Sequence, residues 1–288
     1  MRKTILITGA SSGIGQQAAL LFQRQGWNVA ATMRSPHKDT TLRQLPNVIC
    51  PALDVTDTAS IDGAVSATID QFGAIDVILN NAGYGLIGAF ESFTQEQIER
   101  QFHTNVFGLM AVIRCALPHL RARQQGLIIN VASFAGRSIF PMYSVYHASK
   151  WAVEGFSESL QYELASHGIR VKIIEPGIVR TEFWGRSTDR TNATGVNDYD
   201  NYGQPVLDLI DNAAGIIATR PEDVANAIWK AATDDSKRLR YVVGIDAHLT
   251  LSARRLLSEG AYRGLMNNVF SAPAQRLFQG IIDRFVRT

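Results

Sequence analysis

A β-branched, apolar run over residues 3–8 passes without a break into Gly9-Ala10-Ser11-Ser12-Gly13-Ile14-Gly15, after which Ala18, Ala19, Leu21 and Phe22 recur at helical spacing. This reads as a strand, a glycine turn and a helix in immediate succession. Glycines let the backbone approach a ligand closely, and the free amides opening a helix attract pyrophosphate oxygens. The spacing is Gly-x3-Gly-x-Gly rather than the more familiar Gly-x-Gly-x2-Gly, so the usual dinucleotide pattern is met in mechanism only. A βα turn with no ligand would look the same in isolation. Its place at the first strand of an alternating chain favours the nucleotide.

The alternation continues, with further strands expected at 27–32, 47–53, 75–79, 127–132, 170–175 and 241–244 and helical patterns between them, one running from about 94 to 117. Six to seven strands in this order predict an α/β fold: one doubly wound, Rossmann-like domain over residues 1–288, its sheet mostly parallel, with helices on both faces. With 46% hydrophobic residues, the 288-residue chain can bury a sizeable core. Ligands in such sheets lie beyond the C-terminal strand edges. Gly9 to Gly15, Arg34, Asp54, Asn80, Ser133 and Gly177 all fall there. Arg34 occupies the ribose position, where an acid would accept from a 2′-hydroxyl but a guanidinium suits a 2′-phosphate. Asp54 could accept from an adenine amino group, and Asp57 reads as the cap of a helix reaching about Phe72. Proline at 176 is expected to end its strand ladder.

Tyr146 and Lys150 stand four residues apart and share a helix face. An ammonium ~5 Å from a phenol favours the phenolate by about 3 kcal/mol at an effective dielectric near 20, roughly two pKa units, which would bring the tyrosine toward proton-transfer range. Ser133 lies thirteen positions earlier, enough chain to bring both hydroxyls over one spot. Asn105 sits among Phe102, Val106 and Phe107 and needs partners, because an unpaired buried amide costs about 1–3 kcal/mol. It either satisfies backbone groups or holds a water. Thr181 either contacts a ligand carboxamide or caps the next helix.

The formal charge of +2 comes from 28 basic and 26 acidic residues, so the total points to neither nucleic acid nor an acidic membrane surface. Cys50 and Cys115 have apolar flanks and read as buried free thiols in a reducing compartment. No targeting segment and no apolar run of membrane-spanning length is evident, so a soluble cytoplasmic protein is expected. The dispersed histidines offer no metal-ligand spacing. Residues 188–203 are rich in Asn, Asp, Thr and Gly without hydrophobic periodicity, so 184–206 is expected to be a substrate lid. Residues 250–288 form an expected helical extension, with six arginines against two acids over 251–288 and an apolar stripe at Leu277/Phe278, Ile281/Ile282 and Phe285/Val286. Packing on the core or on a second subunit explains that stripe, and membrane-surface association stays open.

TGASSGIG at 8–15, NNAG at 80–83, Asn105, Ser133, YHASK at 146–150 and PG at 176–177, in this order, resemble a classical short-chain dehydrogenase/reductase over about residues 3–245. The resemblance implies that Tyr146 is the general acid/base, that Lys150 lowers its pKa and bonds the nicotinamide ribose, that Ser133 polarises the substrate oxygen, and that Asn105 holds a water linking Lys150 to solvent. It also implies a cofactor cleft formed by Gly9, Ser11, Ser12, Gly13, Ile14, Gly15, Arg34, Asp54, Val55, Asn81, Ala82, Gly83, Pro176, Gly177 and Thr181. NADP is expected over NAD on the strength of Arg34, helped by Lys38, since Ser12 stands where NADP-selecting relatives carry a second basic residue. The ATMR strand end and long C-terminal segment resemble the branch acting on hydroxysteroids and retinoids. Phe134, Ile139, Phe140, Met142, Tyr143, Phe183 and Trp184 would then line an apolar pocket. The helices after the fourth and fifth strands offer faces for a homodimer or homotetramer. An NAD-dependent alcohol dehydrogenase of the same fold, or a dinucleotide-binding scaffold without chemistry, are the alternatives.

Overall fold

The computed structural model describes residues 2–181, 188–190 and 199–271. Its first half runs β1 (Thr4–Ile7), α1 (Gly13–Arg24), β2 (Asn28–Ala31), β3 (Val48–Ile49), α2 (Thr58–Phe72) and β4 (Val77–Asn80). Then follow β5 (Gly85–Ile87), α3 (Gln95–Phe102), α4 (Leu109–Ala122), β6 (Gly126–Val131), α5 (Ser144–Ala165) and β7 (Ile169–Pro176). The remainder is β8 (Thr188–Arg190), α6 (Asp200–Ile217), α7 (Pro221–Thr233), β9 (Arg240–Val243), α8 (Ile245–Leu256) and α9 (Glu259–Val269). Seven strands form one parallel sheet in the order β3-β2-β1-β4-β6-β7-β9. The chain winds outward from β1 to β3 and then restarts at β4, so the switch point lies between β1 and β4, where a crevice opens at the C-terminal edge.

Strand alternation builds two cores. Ile5, Ile7, Val77, Leu79, Leu127 and Ile129 face α1 and α7, and Leu6, Ile78, Ile128 and Ile173 face α2, α4 and α5. Both faces of each central strand are apolar because helices cover both. On the first face Phe22, Trp27 and Trp229 meet edge to face, with centroids 5.0–5.8 Å apart. Asp57 caps α2 by accepting from the amides of Ala59 and Ser60, as expected. Cys50 and Cys115 are free, but half-buried rather than enclosed.

Four expectations need correction. The third strand is limited to Val48–Ile49 plus an isolated bridge from Ala52 to Met33, because Pro51 brings no amide to the ladder. The helix expected from 94 to 117 is broken by a π-helical turn at His103–Gly108, which places the Asn105 amide against the backbone of Tyr84. Pro176 does not end its ladder: its register partner is Val243, and the Gly177 amide still donates to Val243 at 2.7 Å. The missing proline donor points to the β6 side, where β6 has already stopped and where the Pro176 carbonyl accepts instead from Ser133 Oγ. The stretch 188–203 is not wholly irregular either. Residues 188–190 form β8, parallel to β5, and α6 begins at 200. That strand escaped periodicity because its three residues are polar; Arg190 is instead tied to Asp211 by two hydrogen bonds of 2.7 and 2.9 Å, and Asp189 pairs with Arg100. Residues 182–187 and 191–198, and the apolar stripe at 277–286, lie outside the described residues.

Candidate active site

A cleft of about 1020 Å³ opens over the C-terminal edges of β1, β4, β6 and β7. The residues expected to be catalytic or to hold the cofactor line it except Gly15 and Asn105, which stand directly behind its wall, and Lys38. At the β1 end, Gly9 and Gly13 have φ of 68° and 56°, a region in which a side chain is strained. Thr8 Oγ1 accepts from the amides of Asn81 and Ala82, both at 3.0 Å, and Asn81 Nδ2 donates to the carbonyls of Thr8 and Gly9, also at 3.0 Å. Asn81 therefore stitches the two strand ends beneath the turn. Ser12 is the N-cap of α1 but makes no side-chain cap bond, and the first turn has no acid, so the opening amides of α1 face the cleft without a competing carboxylate. These features fit a pyrophosphate.

Arg34 is exposed on the same cleft and makes no ion pair with any described residue, whereas Lys38 sits in the next turn and does not line the cleft. Asp54 Oδ1 accepts from both the amide and the hydroxyl of Thr56, at 2.9 and 2.7 Å, so its carboxylate also braces its own loop. Asn80 is structural: its Nδ2 donates to Asn130, which donates to Ser157, in a buried chain.

At the β6 end Ser133, Tyr146 and Lys150 converge, 6%, 8% and 8% exposed. Ser133 caps the turn Phe134–Gly136 through the Ala135 amide at 3.1 Å and donates to the Pro176 carbonyl at 3.3 Å, which holds its hydroxyl beside Tyr146. Lys150 Nζ donates to the Val131 carbonyl at 3.0 Å and lies 5.8 Å from the Tyr146 ring centre. The expected lowering of the phenol by its lysine is not produced by the protein's own groups. Burial pushes Tyr146 up to about 12, opposed by the Ser133 hydrogen bond, and burial also pulls Lys150 down to about 8, opposed by Glu154. A four-residue spacing reveals proximity, but not that both partners are desolvated.

Asn105 is 2% exposed. Its Oδ1 accepts from the Tyr84 amide at 3.1 Å, and its Nδ2 donates to the Tyr84 carbonyl at 2.9 Å and to Ser149 Oγ at 3.3 Å. A Cβ on Gly83 would stand 3.1 Å from Asn105 Oδ1 and 3.9 Å from Lys150 Nζ, so both polar atoms face one small space that glycine keeps open.

Phe134, Phe140 and Tyr143 line the cleft as expected. Ile139 is instead 50% exposed and Met142 packs toward Gly203, because the loop turns at Met142 with φ of 69°. Phe183 and Trp184 lie outside the described residues. The remaining wall was not anticipated: Tyr262, Leu265, Met266, Val269 and Phe270 of α9 and its end, with Leu249 and Ala253 of α8 and Ile210 and Ile217 of α6. The helical spacing of 262, 265, 266 and 269 carried that signal. Asp246 was also missed. Its Oδ2 accepts from the Ile178 amide at 2.6 Å and clasps the segment after Gly177 against α8.

The short chain dehydrogenase family model matches residues 3–192. A 3-ketodihydrosphingosine reductase from Bacteroides thetaiotaomicron is 39% identical over 244 residues, 83% of this chain and 87% of the relative. A solved short-chain dehydrogenase from Streptomyces avermitilis superposes with TM-score 0.80 at 32% identity, covering 93% of this chain and 96% of its own. ElxO, solved with NADP bound, superposes with TM-score 0.70 at 28% identity, covering 86% and 98%. The chain belongs to the short-chain dehydrogenase family, whose members are oxidoreductases.

Proposed function

We propose that this chain is an NADP(H)-dependent oxidoreductase interconverting a ketone or aldehyde with an alcohol on an apolar substrate. The observation that carries it is the Ser133–Tyr146 hydroxyl pair, held beside Lys150 in the cleft that the glycine turn opens. NADPH, when bound, supplies the hydride. A buried phenol held near 12 keeps its proton across the neutral range, so Tyr146 donates from Oη to the oxygen of a reduced carbonyl. Ser133 Oγ–H turns from its neighbours to the same oxygen and stabilises its developing charge. Lys150 contributes a cation beneath the phenol and a donor for a ribose, and Asn105 Oδ1, with one lone pair beyond its Tyr84 bond, holds a water between Lys150 and solvent.

The choice of NADP is supported by Arg34, a guanidinium on the cleft with no ion pair among the described residues, and by ElxO having been solved with that nucleotide. Arg34→Ala should weaken NADPH by ~10–100-fold and leave NADH within a factor of about two. Equal effects on the two nucleotides, measured by fluorescence quenching, would defeat the 2′-phosphate contact and favour the NAD-dependent alternative.

The apolar wall of α6, α8 and α9 supports a large apolar substrate, the class to which steroids, retinoids and long-chain ketones belong. A panel of such ketones with NADPH, followed by absorbance, tests the reading; tight nucleotide binding with no turnover on any of them would leave a scaffold role. The same reading takes residues 1–288 as one domain, 184–206 as a substrate lid and 250–288 as a helical C-terminal extension, whose described part, up to 271, supplies the end of α8 and α9 to the cleft. Exposed Trp151 and Tyr162 on α5 support self-association into a homodimer or homotetramer. A cytoplasmic location belongs to it too, and among the described residues no helix is long and apolar enough to cross a membrane.

A further inference from the structure

One helical turn beyond Lys150, on the side away from the cleft, Glu154 enters a buried cluster that the reaction as read above does not use. Glu154 on α5 is 4% exposed and Glu175 on β7 is 0% exposed. Arg240 Nε of β9 stands 3.0 Å from Glu154 Oε2 and 3.4 Å from Glu175 Oε1, while Arg137 Nη1 donates to Glu175 Oε1 at 3.0 Å. The outer guanidinium nitrogen of Arg240 is taken by Glu158 at 2.7 Å. Among the described residues, Lys150 and Glu158 of α5, Glu175, Arg240 and Arg137 are thus the charged groups around Glu154.

The other oxygen of Glu154, Oε1, is buried and receives no hydrogen bond. Glu175 is the acid that neighbours Glu154, and the two share Arg240 Nε, so two buried carboxyl groups confront each other. A proton on Glu154 Oε1, donated to Glu175, satisfies both. The cluster also abuts the catalytic turn: a Cβ on Gly136 would lie 2.8 Å from Glu154 Cγ and 2.9 Å from the Lys150 carbonyl, so the turn positioning Ser133 sits directly on this part of α5.

We propose that Glu154 is a positioning residue for proton transfer at Tyr146: protonated, it donates to Glu175, and ionised in alkaline solution it is the counter-charge that keeps the Lys150 ammonium in place. The proton it loses goes to solvent. Burial and the Glu175 charge, against Arg240, raise Glu154 to about 8, so the change of state falls where Lys150 itself would otherwise discharge. The role toward Tyr146 rests on the oxidoreductase reading; the shared proton does not.

The test is Glu154→Gln, whose amide N–H can replace the donated proton and whose oxygen can still accept from Arg240. A carboxyl raised by folding stabilises the fold below its unfolded pKa, and that contribution is lost as pH rises through its folded value. The Tm of wild type should therefore fall relative to E154Q by about 5 °C from about pH 5 to about pH 9. In the same buffers, the alkaline decline of kcat should move about one pH unit lower in E154Q, because Lys150 has lost its counter-charge. A Tm difference that stays flat with pH overturns the shared proton whatever turnover does. An unshifted kcat profile beside the expected Tm trend overturns the service to Lys150. The Tm trend in a wild-type protein without any nicotinamide-dependent turnover overturns the oxidoreductase reading and that service with it, and leaves the shared proton standing.

Discussion

Tyr146→Phe should lower kcat by at least ~100-fold while NADPH affinity stays within a factor of about two. The substitution deletes one hydroxyl and leaves a phenyl ring of the same shape, packed as now against Tyr143 and His147 with centroids 6.3 Å away. Ser133 Oγ keeps its bond to the Pro176 carbonyl at 3.3 Å, so no donor is stranded by the change. What disappears is the proton source, since among the described residues no other acidic group stands beside Ser133 in the cleft to replace it. Lys150 is directed at Val131, and the buried His147 imidazole, pulled down to about 4, is spent on the Ala135 carbonyl and the Phe140 amide. Steady-state kinetics beside nucleotide titration checks this, and turnover within about tenfold of wild type would remove Tyr146 from the reaction.

Gly15→Ala is expected to be as damaging at the other end of the cleft, by a different route. The new Cβ would stand 2.4 Å from the Gly9 carbonyl oxygen and 2.6 Å from Asn81 Nδ2, well inside contact distance. Neither atom is free to retreat: the Gly9 carbonyl is held by Asn81, and Asn81 is held by Thr8. The turn must open, taking the α1 amides out of line, so NADPH affinity should fall by ~100-fold or more and Tm by several degrees. Gly63→Ala is the matched control. Its Cβ meets nothing within 4 Å on the exposed side of α2, and it should gain about 0.5–1 kcal/mol from helix propensity alone. Titration calorimetry and thermal melts of both variants decide the matter; retained affinity in Gly15→Ala would show that the turn is not the nucleotide cradle.

What could be read in the sequence, and what could not, divides along physical lines. The strand–turn–helix at residues 4–24 was legible because β-branched residues, glycines and helical spacing all point to the same local structure, with no long-range partner needed to decide it. Tyr146, Lys150 and Ser133 were legible as candidates because one helix face and one strand end carried them. Their titration behaviour was not, since desolvation depends on the whole of both cores. The polar strand β8 was hidden because ion pairs, not alternation, hold it. The π-helical turn at Asn105 was hidden because the residue that rewards it, Tyr84, lies 21 positions away. The α9 wall was legible in spacing, yet only the course of α8 after β9 tells which way that face looks.

The cleft's lining divides unevenly along the chain. Its glycine-turn end uses residues up to Thr181, and much of the apolar wall, beyond Phe134, Phe140 and Tyr143, comes from α6, α8 and α9, all from residue 199 onward. A cassette exchange confined to 247–271, which spares the Asp246 clasp on the Ile178 amide, could thus retune what is gripped while the dinucleotide berth stays as it was. A lineage carrying such a frame can diversify its repertoire by rewriting its tail alone.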